Sequence, residues 1–358
     1  MRARSTPIPA TGLRAAVLVL LGAAVLPGCA MTGSRGDKVV QEVWMSEPVE
    51  QNIDSVAAWR TGEGKVLVLA TAKDGHAIRV HDGDTGTFLR TIGSAGAGPG
   101  ELARPNGIFV VDDLAFVVEN VNHRVQVFDL ARNESIGLFG AAQLREPYGL
   151  WVQPQGEGQY RVFVTDSYYT DGQVPPASEL GERVKSFDVA VGPDGVQAGY
   201  RGAFGDTTGP GVLRTVESIW GDPVHGRLLI ADEDDESRDI KVYDFDGRLL
   251  QTFGAGIFDH EPEGIARIDC QGDAGYWVVS DQHERAQVFR VFDRRSLQHV
   301  GDVVPAHTHT VDGIWFQPGQ HGRFARGALY SQHGDVAVAA FDWQAIAESL
   351  SLPADCGA

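Results

Sequence analysis

Acidic side chains recur at two kinds of position along this chain of 358 residues. Some, such as Glu263 and Asp312, stand directly before a small residue and a hydrophobe. Others, such as Asp232 and Glu233, stand where a short apolar run ends. Carboxylates that converge raise one another's pKa unless a cation neutralises them, and ligand sets made of oxygen suit Ca²⁺, with Mg²⁺ second. The expected chemistry is therefore the binding of divalent cations.

These acids belong to a unit that occurs six times. Each copy reads as a turn, a second apolar strand that stops at a polar residue, and a third strand that in most copies ends in a hydrophobe followed by Asp. The turns are Ile53-Asp54-Ser55-Val56, Pro105-Asn106-Gly107-Ile108, Pro147-Tyr148-Gly149-Leu150, Val216-Glu217-Ser218-Ile219, Pro262-Glu263-Gly264-Ile265 and Val311-Asp312-Gly313-Ile314. A spacing of roughly 40 to 70 residues matches the blade period of a β-propeller, in which four-stranded sheets surround a central channel.

The predicted fold is all-β: a six-bladed β-propeller over residues 38–350, closed by an N-terminal strand. Residues 39–44 alternate like a strand but precede the first turn, whereas the last copy supplies only three strands. We therefore expect the N-terminal strand to complete the last blade and to remove its exposed edge. Residues 351–358 are expected to form a C-terminal tail.

Residues 1–28 predict an export signal. Arginines precede an apolar core too short to span a membrane, and Leu26-Pro27-Gly28-Cys29 follows. This ending resembles the lipobox of bacterial lipoproteins, with an ordinary signal or a buried apolar segment as the alternative. The resemblance implies acylation of Cys29, a tether over residues 29–37, and a lipoprotein of the cell envelope, on the outer membrane or the periplasmic face. Contact with the membrane is then through the lipid anchor alone.

The formal net charge of −18 excludes some partners. An acidic field argues against nucleic acid and anionic membrane surfaces and favours cations. We expect a monomer. Cys270 and Cys356 remain after Cys29, and export permits a disulfide between them, but two thiols without a spacing pattern do not predict one. The insertion at residues 168–182 is interpreted as either a lid or a surface loop.

In a propeller the turns and strand ends converge around the channel mouth, so residues distant in sequence become neighbours. The expected circle of acids is Asp54, Glu217, Asp232, Glu233, Glu261, Glu263, Asp281 and Asp312. Lys73, Arg124, Tyr148 and Gln282 stand among them. The alternative for any single acid is that it only satisfies backbone amides in a blade turn.

Several of these motifs look like those of the β-propeller phytases, in matching order over about residues 40–350. The motifs are Glu-Pro-Glu-Gly at 261–264, Ser-Asp-Gln at 280–282, Ile-Ala-Asp-Glu at 230–233, Asp-Gly-Ile at 312–314 and Trp343-x-x-Ile346-Ala347. The resemblance implies a six-bladed enzyme that binds several Ca²⁺ ions around the channel. Such an enzyme hydrolyses phosphate monoesters of inositol phosphates such as phytate by attack of a metal-activated water.

Carried over by position, the resemblance also implies roles for residues of this chain. The implied metal ligands are Asp54, Glu217, Asp232, Glu233, Glu261, Glu263 and Asp312. Glu217 and Glu263 are the implied catalytic residues, as activators of water. Lys73, Arg124 and Tyr148 are expected to face phosphate, with Gln282 also at the site.

The chain departs from the phytase pattern in the half that grips phosphate. Its first turn keeps one acid of two, its second turn loses an Asn and an Asp, and Thr165-Asp166-Ser167 lacks an expected lysine. In addition, the second copy resembles an NHL-type repeat at residues 122–129. Two functions follow: an exported, lipid-anchored, Ca²⁺-dependent phosphomonoesterase, or a non-catalytic propeller that binds a ligand or protein partner at the channel mouth. Another hydrolase or lyase on the same scaffold is a third possibility.

Overall fold

The computed structural model describes residues 38–283, 287–353 and 355–357, and within them it has one sheet for each of the six sequence copies. The all-β six-bladed propeller predicted from the repeat is confirmed. From the channel outward, blade 1 contains Ile53–Arg60, Val66–Ala72, Ala77–Asp82 and Phe88–Ile92; blade 2 contains Pro105–Val111, Leu114–Glu119, Arg124–Asp129 and Glu134–Phe139; blade 3 contains Pro147–Gly156, Gln159–Asp166, Val184–Gly192 and Gly195–Phe204.

The remaining blades follow the same antiparallel order. Blade 4 contains Val216–Asp222, Arg227–Asp232, Asp239–Tyr243 and Leu249–Phe253; blade 5 contains Glu261–Asp269, Gly275–Gln282, Val288–Asp293 and His299–Pro305; blade 6 contains Ile314–Gln317, Ala328–His333, Ala337–Asp342 and Trp44–Met45. Outside these sets, Val39–Val40 pairs in parallel with the outer strand of blade 5, and Ser94–Ala95 pairs in parallel with Glu101–Leu102. The insertion of blade 3 contains a 3₁₀ helix, Ala177–Glu182.

In blades 1 to 5 the motif predicted as a turn instead lies at the beginning of the innermost strand, and in blade 6 it precedes that strand. In blade 5, Pro262 pairs with Asp281 and Ile265 pairs with Val279, so two residues of the inner strand stand opposite one residue of its neighbour. Comparable register shifts interrupt the same position in blades 1, 3 and 4. The prediction of turns is wrong here because a β-bulge and a turn both favour Gly after a polar residue. The bulge re-aims the preceding polar side chain.

Small residues follow that polar side chain because neighbouring inner strands nearly touch. A Cβ on Gly107 would lie 2.6 Å from the carbonyl oxygen of Tyr148, and a Cβ on Gly264 would lie 2.7 Å from the carbonyl oxygen of Asp312. One on Gly149 would overlap the carbonyl oxygen of Glu217. Inner strands of adjacent blades therefore hold one another's polar residues in place around the channel.

Below the small residues, side chains of the inner strands line a cavity of about 50 Å³. A layer of aliphatic residues comes next, and three aromatic rings from blades 2, 4 and 6 then meet at the axis. The ring centroids of Phe109 and Trp220 lie 5.3 Å apart, those of Phe109 and Trp315 5.1 Å apart, and those of Trp220 and Trp315 5.2 Å apart. These separations are typical of tilted and edge-to-face aromatic contacts. We call this group the aromatic triangle.

The N-terminal strand lies where the closing strand was expected. Trp44 stands opposite Ala340 and Met45 opposite Ala339, which gives blade 6 its fourth strand. The indole N–H of Trp44 donates to the carbonyl oxygen of Gly83 in blade 1 at 3.2 Å. That this strand holds the ring closed stays a prediction.

The C-terminal segment is attached to the ring in two ways. A helix, Trp343–Leu350, begins at Asp342, whose carboxylate accepts from the backbone N–H of Gln344 at 3.1 Å, and it buries one apolar face. Cys356 forms a disulfide with Cys270 of blade 5, a pairing that the spacing alone did not predict. No helix within the described ranges is long and apolar enough to cross a membrane. The predicted signal, Cys29 and the tether lie outside the described residues.

Candidate functional site

Two positions of each blade supply the side chains at one end of the channel. The first is the bulged position of the inner strand, or in blade 6 the residue two before that strand. It is occupied in blade order by Asp54, Asn106, Tyr148, Glu217, Glu263 and Asp312. The second follows or ends the next strand and is occupied by Lys73, Asn120, Ser167, Glu233, Gln282 and His333. We call the first set the inner ring and this end of the channel the mouth. These two sets contain eight of the residues predicted for the site, namely Asp54, Lys73, Tyr148, Glu217, Glu233, Glu263, Gln282 and Asp312.

Lys73 is inserted among the acids of the inner ring. It is only 6% exposed, and its ammonium forms an ion pair with Asp54 and donates to the hydroxyl of Tyr148 at 2.6 Å. That hydroxyl in turn donates to Asp54 at 3.1 Å. Burial alone would lower the pKa of Lys73, but the negative charges around it, that of Asp54 foremost, raise the pKa, so the amine stays charged. The ammonium of Lys73 therefore pairs with the carboxylate of Asp54 and does not face the solvent at the mouth.

Three glutamates converge on the other side of the mouth. Glu217, Glu233 and Glu263 each offer a carboxylate oxygen, and the three oxygens lie within 4.8 Å of one another. We call them the glutamate triad. Burial raises the pKa of Glu217 to about 8 against the opposing effect of Lys73, and burial with the neighbouring glutamates raises the pKa of Glu233 and Glu263 well above the usual range. Ionising all three glutamates is therefore unfavourable, and a bound cation would remove this repulsion.

One oxygen of the glutamate triad has no partner. Glu233 is 9% exposed, and its buried Oε1 accepts no hydrogen bond from the described residues. Such an orphan atom costs free energy unless a ligand or water satisfies it. Because the ligand atoms that the triad offers are all oxygens, these residues fit Ca²⁺ better than a transition metal.

Asp312 closes the inner ring beside Asp54. The side-chain amide of Gln282 donates to Asp312, and the Asp312 carboxyl also hydrogen-bonds Asp335. Gln332 donates to the other acid, Asp335, at 2.9 Å. Burial and the charge of Asp54 raise the pKa of Asp312 well above its usual range. Gln282 was predicted as a substrate-binding residue at the site, and its amide here positions an acid of the ring.

Asn106 is a ring member that sequence reasoning missed. It is 1% exposed, and its Oδ1 has no hydrogen-bond partner among the described residues. Its place in the repeated motif, one residue before Gly107, was the signal that could have identified it. An uncharged side chain drew less attention than the acids in the same position, yet an amide oxygen is also a ligand for hard cations.

Asp232 was predicted as a metal ligand but lies apart from the glutamate triad. Its carboxylate accepts from the backbone N–H groups of Arg214 and Thr215 at 3.2 and 3.0 Å and from the hydroxyl of Ser237 at 3.2 Å. Asp281 makes the corresponding bonds in blade 5, to the backbone N–H groups of Asp259 and His260. Asp232 therefore stabilises the loop that enters its blade, which is the alternative considered for any single acid.

Arg124 was predicted to face phosphate, and the structure places its guanidinium elsewhere. It donates to Glu119 at 2.5 Å and to the carbonyl oxygens of Ala97 and Glu101 at 2.6 and 3.1 Å. These bonds anchor the Gly-rich loop between blades 1 and 2 and use the donors that a phosphate would need. Glu261, another predicted ligand, is exposed at the rim of the mouth, in a cleft that it shares with Arg238 and Gln282.

The arrangement is suited to holding a cation and poorly suited to gripping phosphate by basic side chains. Within the described part of the chain, Lys73 supplies the positive charge that contacts the inner ring. The other predicted basic residue, Arg124, is bonded to Glu119 and to loop carbonyls. Any anionic ligand would have to be held chiefly through a bound cation.

Comparison with solved structures finds many matching chains. The Cps50 (Swd1) beta-propeller domain of Myceliophteria thermophila is 10% identical, with a TM-score of 0.49 over 83% of this chain and 98% of that chain. A functionally unknown protein from Desulfotomaculum acetoxidans DSM 771 is 13% identical, with a TM-score of 0.46 over 82% of this chain and 86% of that one. At these values neither carries an argument about function.

Comparison with curated proteins finds no significant relative. A family model does match part of the chain. It is that of the DUF5128 family, described as a 6-bladed beta-propeller, and it aligns with residues 49–139. Those residues contain all the strands of blades 1 and 2. The family match thus agrees with the ring of six sheets and leaves the chemistry of its mouth to be argued from the side chains.

Proposed function

We propose that this protein is a β-propeller that binds Ca²⁺ at the channel mouth through the glutamate triad and holds a small polar ligand against that ion. The observation that carries the proposal is the convergence of three carboxylate oxygens, from Glu217, Glu233 and Glu263, within 4.8 Å. The unpartnered Oε1 of Glu233 supports it, because a cation would satisfy that atom. Glu261 and Gln282 border the cleft at the rim, where the ligand would complete the coordination of the ion.

A second candidate is the Ca²⁺-dependent phosphomonoesterase that the phytase resemblance implies, acting on inositol phosphates such as phytate. It is favoured by the positions of the triad, because all three glutamates are residues for which the resemblance implies metal ligands. Glu217 and Glu263 would then activate a metal-bound water. The pairing of Lys73 with Asp54 and the placement of Arg124 away from the mouth weigh against it.

Calorimetric titration of the purified protein with Ca²⁺, and with Mg²⁺ for comparison, tests the binding proposal. Glu233→Gln should weaken Ca²⁺ binding at least about tenfold, since it removes the charge of a buried ligand. Glu236→Gln is the matched control: it lies three residues away in the same acidic run, is 72% exposed and pairs with Arg214 at 2.9 Å. A parent protein that binds no Ca²⁺, or equal loss in both variants, would contradict the proposal.

Phosphate release separates the two candidates. Phytate and an aryl phosphate are each incubated with the protein in Ca²⁺ and in chelator. Release in Ca²⁺ alone, lost in Glu263→Gln, would establish the phosphomonoesterase. Ca²⁺ binding without release from either compound would favour the binding propeller.

We further propose that the chain is exported, lipid-anchored at Cys29, monomeric and without nucleic-acid partners. The Cys270–Cys356 disulfide supports an oxidising location, and the net charge of −18 weighs against nucleic acid. Cys29→Ser should move the protein from the membrane fraction to a soluble or unprocessed form. An unchanged membrane fraction would count against the anchor.

A further inference from the structure

The acids at the mouth fall into two groups with different neighbours. The glutamate triad, from blades 4 and 5, has the orphan Oε1 of Glu233 and no ammonium bonded to it among the described residues. The second group, from blades 1 and 6, consists of Asp54, Asp312 and Asp335. We call it the aspartate group. The ammonium of Lys73 bonds to Asp54 of this group, and its charge also acts on Asp312, Asp335 and, in the triad, Glu217.

We infer that the ammonium of Lys73 stands in the place of a second divalent cation, so that the mouth takes one Ca²⁺ ion beside Lys73 and would take two without it. The expectation of one Ca²⁺ ion in the parent protein rests on the proposed function. Lys73 then determines how many ions the mouth holds, and the lysine is a positioning and charge-compensating residue instead of a phosphate ligand.

The contacts of Lys73 are those that a hard cation would make. Its nitrogen lies next to a carboxylate oxygen of Asp54 and 2.6 Å from the hydroxyl oxygen of Tyr148. A compact ammonium and a metal ion both attract oxygen atoms, but the ammonium brings one charge and the ion two. A lysine tethered to the backbone also occupies the position at any Ca²⁺ concentration, which a dissociable ion does not.

The unpartnered amide of Asn106 indicates that the position can hold an ion. Asn106 belongs to blade 2, so in the inner ring it stands between Asp54 of blade 1 and Tyr148 of blade 3, the two residues that Lys73 contacts. Its Oδ1 is buried and accepts nothing from the described residues. Lysine already directs its hydrogen bonds to Asp54 and Tyr148, whereas an ion accepts six or more oxygen ligands and could include Asn106.

Counting bound ions tests the inference. The parent, Lys73→Gln and Lys73→Arg are dialysed to equilibrium against Ca²⁺, and bound Ca²⁺ is measured by elemental analysis and calorimetry. We expect one ion in the parent, two in Lys73→Gln and one in Lys73→Arg, which keeps the charge. Lys65→Gln is the control for loss of a lysine: that side chain is 53% exposed and pairs with Asp82, so one ion should remain.

Melting curves cover the case in which the variant folds poorly. In chelator Lys73→Gln should melt below the parent, since the aspartate group is left without its cation, and Ca²⁺ should raise its melting temperature more than it raises that of the parent. A Lys73→Gln protein that stays unfolded in millimolar Ca²⁺ would overturn the inference, because an ion could not then replace the ammonium.

The two proposals fail in different ways. One ion in both the parent and Lys73→Gln leaves the glutamate triad as a Ca²⁺ site and overturns the role given to Lys73. No ion in the parent but one in Lys73→Gln sinks the proposed Ca²⁺ site and supports the inference for the aspartate group. No ion in either protein overturns both.

Discussion

The partner of a buried acid decides its pKa in this protein. At the mouth, acids face mainly other acids, and the pKa of Glu217 rises to about 8 because of burial. Asp222 in blade 4 is fully buried, but Arg294 donates to its two oxygens at 2.7 and 3.0 Å. Burial would raise the pKa of Asp222, yet the hydrogen bonds and charge of Arg294 prevail and lower the pKa to about 2. Asp222 is thus held in its charged form by an arginine, whereas the glutamates of the triad lie mainly among other acids.

Asp222→Asn should destabilise the fold by about 3–5 kcal/mol at neutral pH, since it leaves the buried Arg294 with only the half-exposed Asp269 as a counter-charge. The pKa of Asp222 is lower in the folded than in the unfolded protein, so its stabilisation is present above about pH 4 and is lost as the pH falls towards 2. Chemical denaturation at several pH values should therefore show a smaller acid-induced loss in the variant than in the parent.

The control for this prediction is Asp188→Asn. Asp188 also binds two arginines, Arg161 and Arg201, but it is half exposed, so its loss should cost less than about 1 kcal/mol. Equal effects of the two substitutions would show that burial does not set the strength of these pairs.

The inner strands position the site because a bulge and a small residue recur in them. Each bulge directs one polar side chain into the mouth, and the small residue that follows lets the next blade approach. The inner strands therefore determine which residues lie together at the mouth, and the side chains determine what the mouth can bind.

Gly149→Ala should lower stability by about 1–3 kcal/mol, because its Cβ would overlap the carbonyl oxygen of Glu217 and force two inner strands apart. Ca²⁺ affinity should fall with it, since Glu217 belongs to the triad. Gly192→Ala is the control, as a Cβ there meets nothing within 4 Å. Denaturant melts and Ca²⁺ titrations of the two variants provide the comparison; identical behaviour would refute the close-approach constraint.

Sequence reasoning predicted what depends on the repeat and missed what depends on hydrogen-bond partners. The blade count and most ring positions follow from one motif that recurs in register. Asp232 and Glu233 are neighbours in sequence, but consecutive residues of a strand point in opposite directions, so one binds loop amides and the other reaches the mouth. Asn106 was missed because its amide carries no charge. The disulfide was not predicted because the approach of Cys356 to Cys270 of blade 5, 86 residues away, depends on the path of the C-terminal segment.

At the scale of the molecule, the two ends of the chain meet in blade 6. The N-terminal strand supplies the outer strand of a blade whose other strands are C-terminal. Trp44 also reaches blade 1 through its bond to Gly83. We therefore expect stability to depend on this strand far more than its length implies.

Trp44→Ala should reduce the free energy of unfolding by about 3–5 kcal/mol, because Trp44 is a large side chain only 8% exposed. Met45→Ala, in the same strand but 37% exposed, should change it by no more than about 0.5 kcal/mol. Thermal and chemical unfolding measure both. If Trp44→Ala unfolds like the parent, the N-terminal strand does not hold the ring closed.

The aromatic triangle lies across the channel below the mouth. Phe109, Trp220 and Trp315 contact one another at the axis and so stand between the mouth and the opposite face. An ion held by the glutamate triad has the triangle beneath it and the rim above it, so it enters and leaves by one route. A ligand seated on the ion would cover that route. Binding would then be ordered, with the ion first to arrive and last to depart, and excess ligand would slow the escape of Ca²⁺ into chelator.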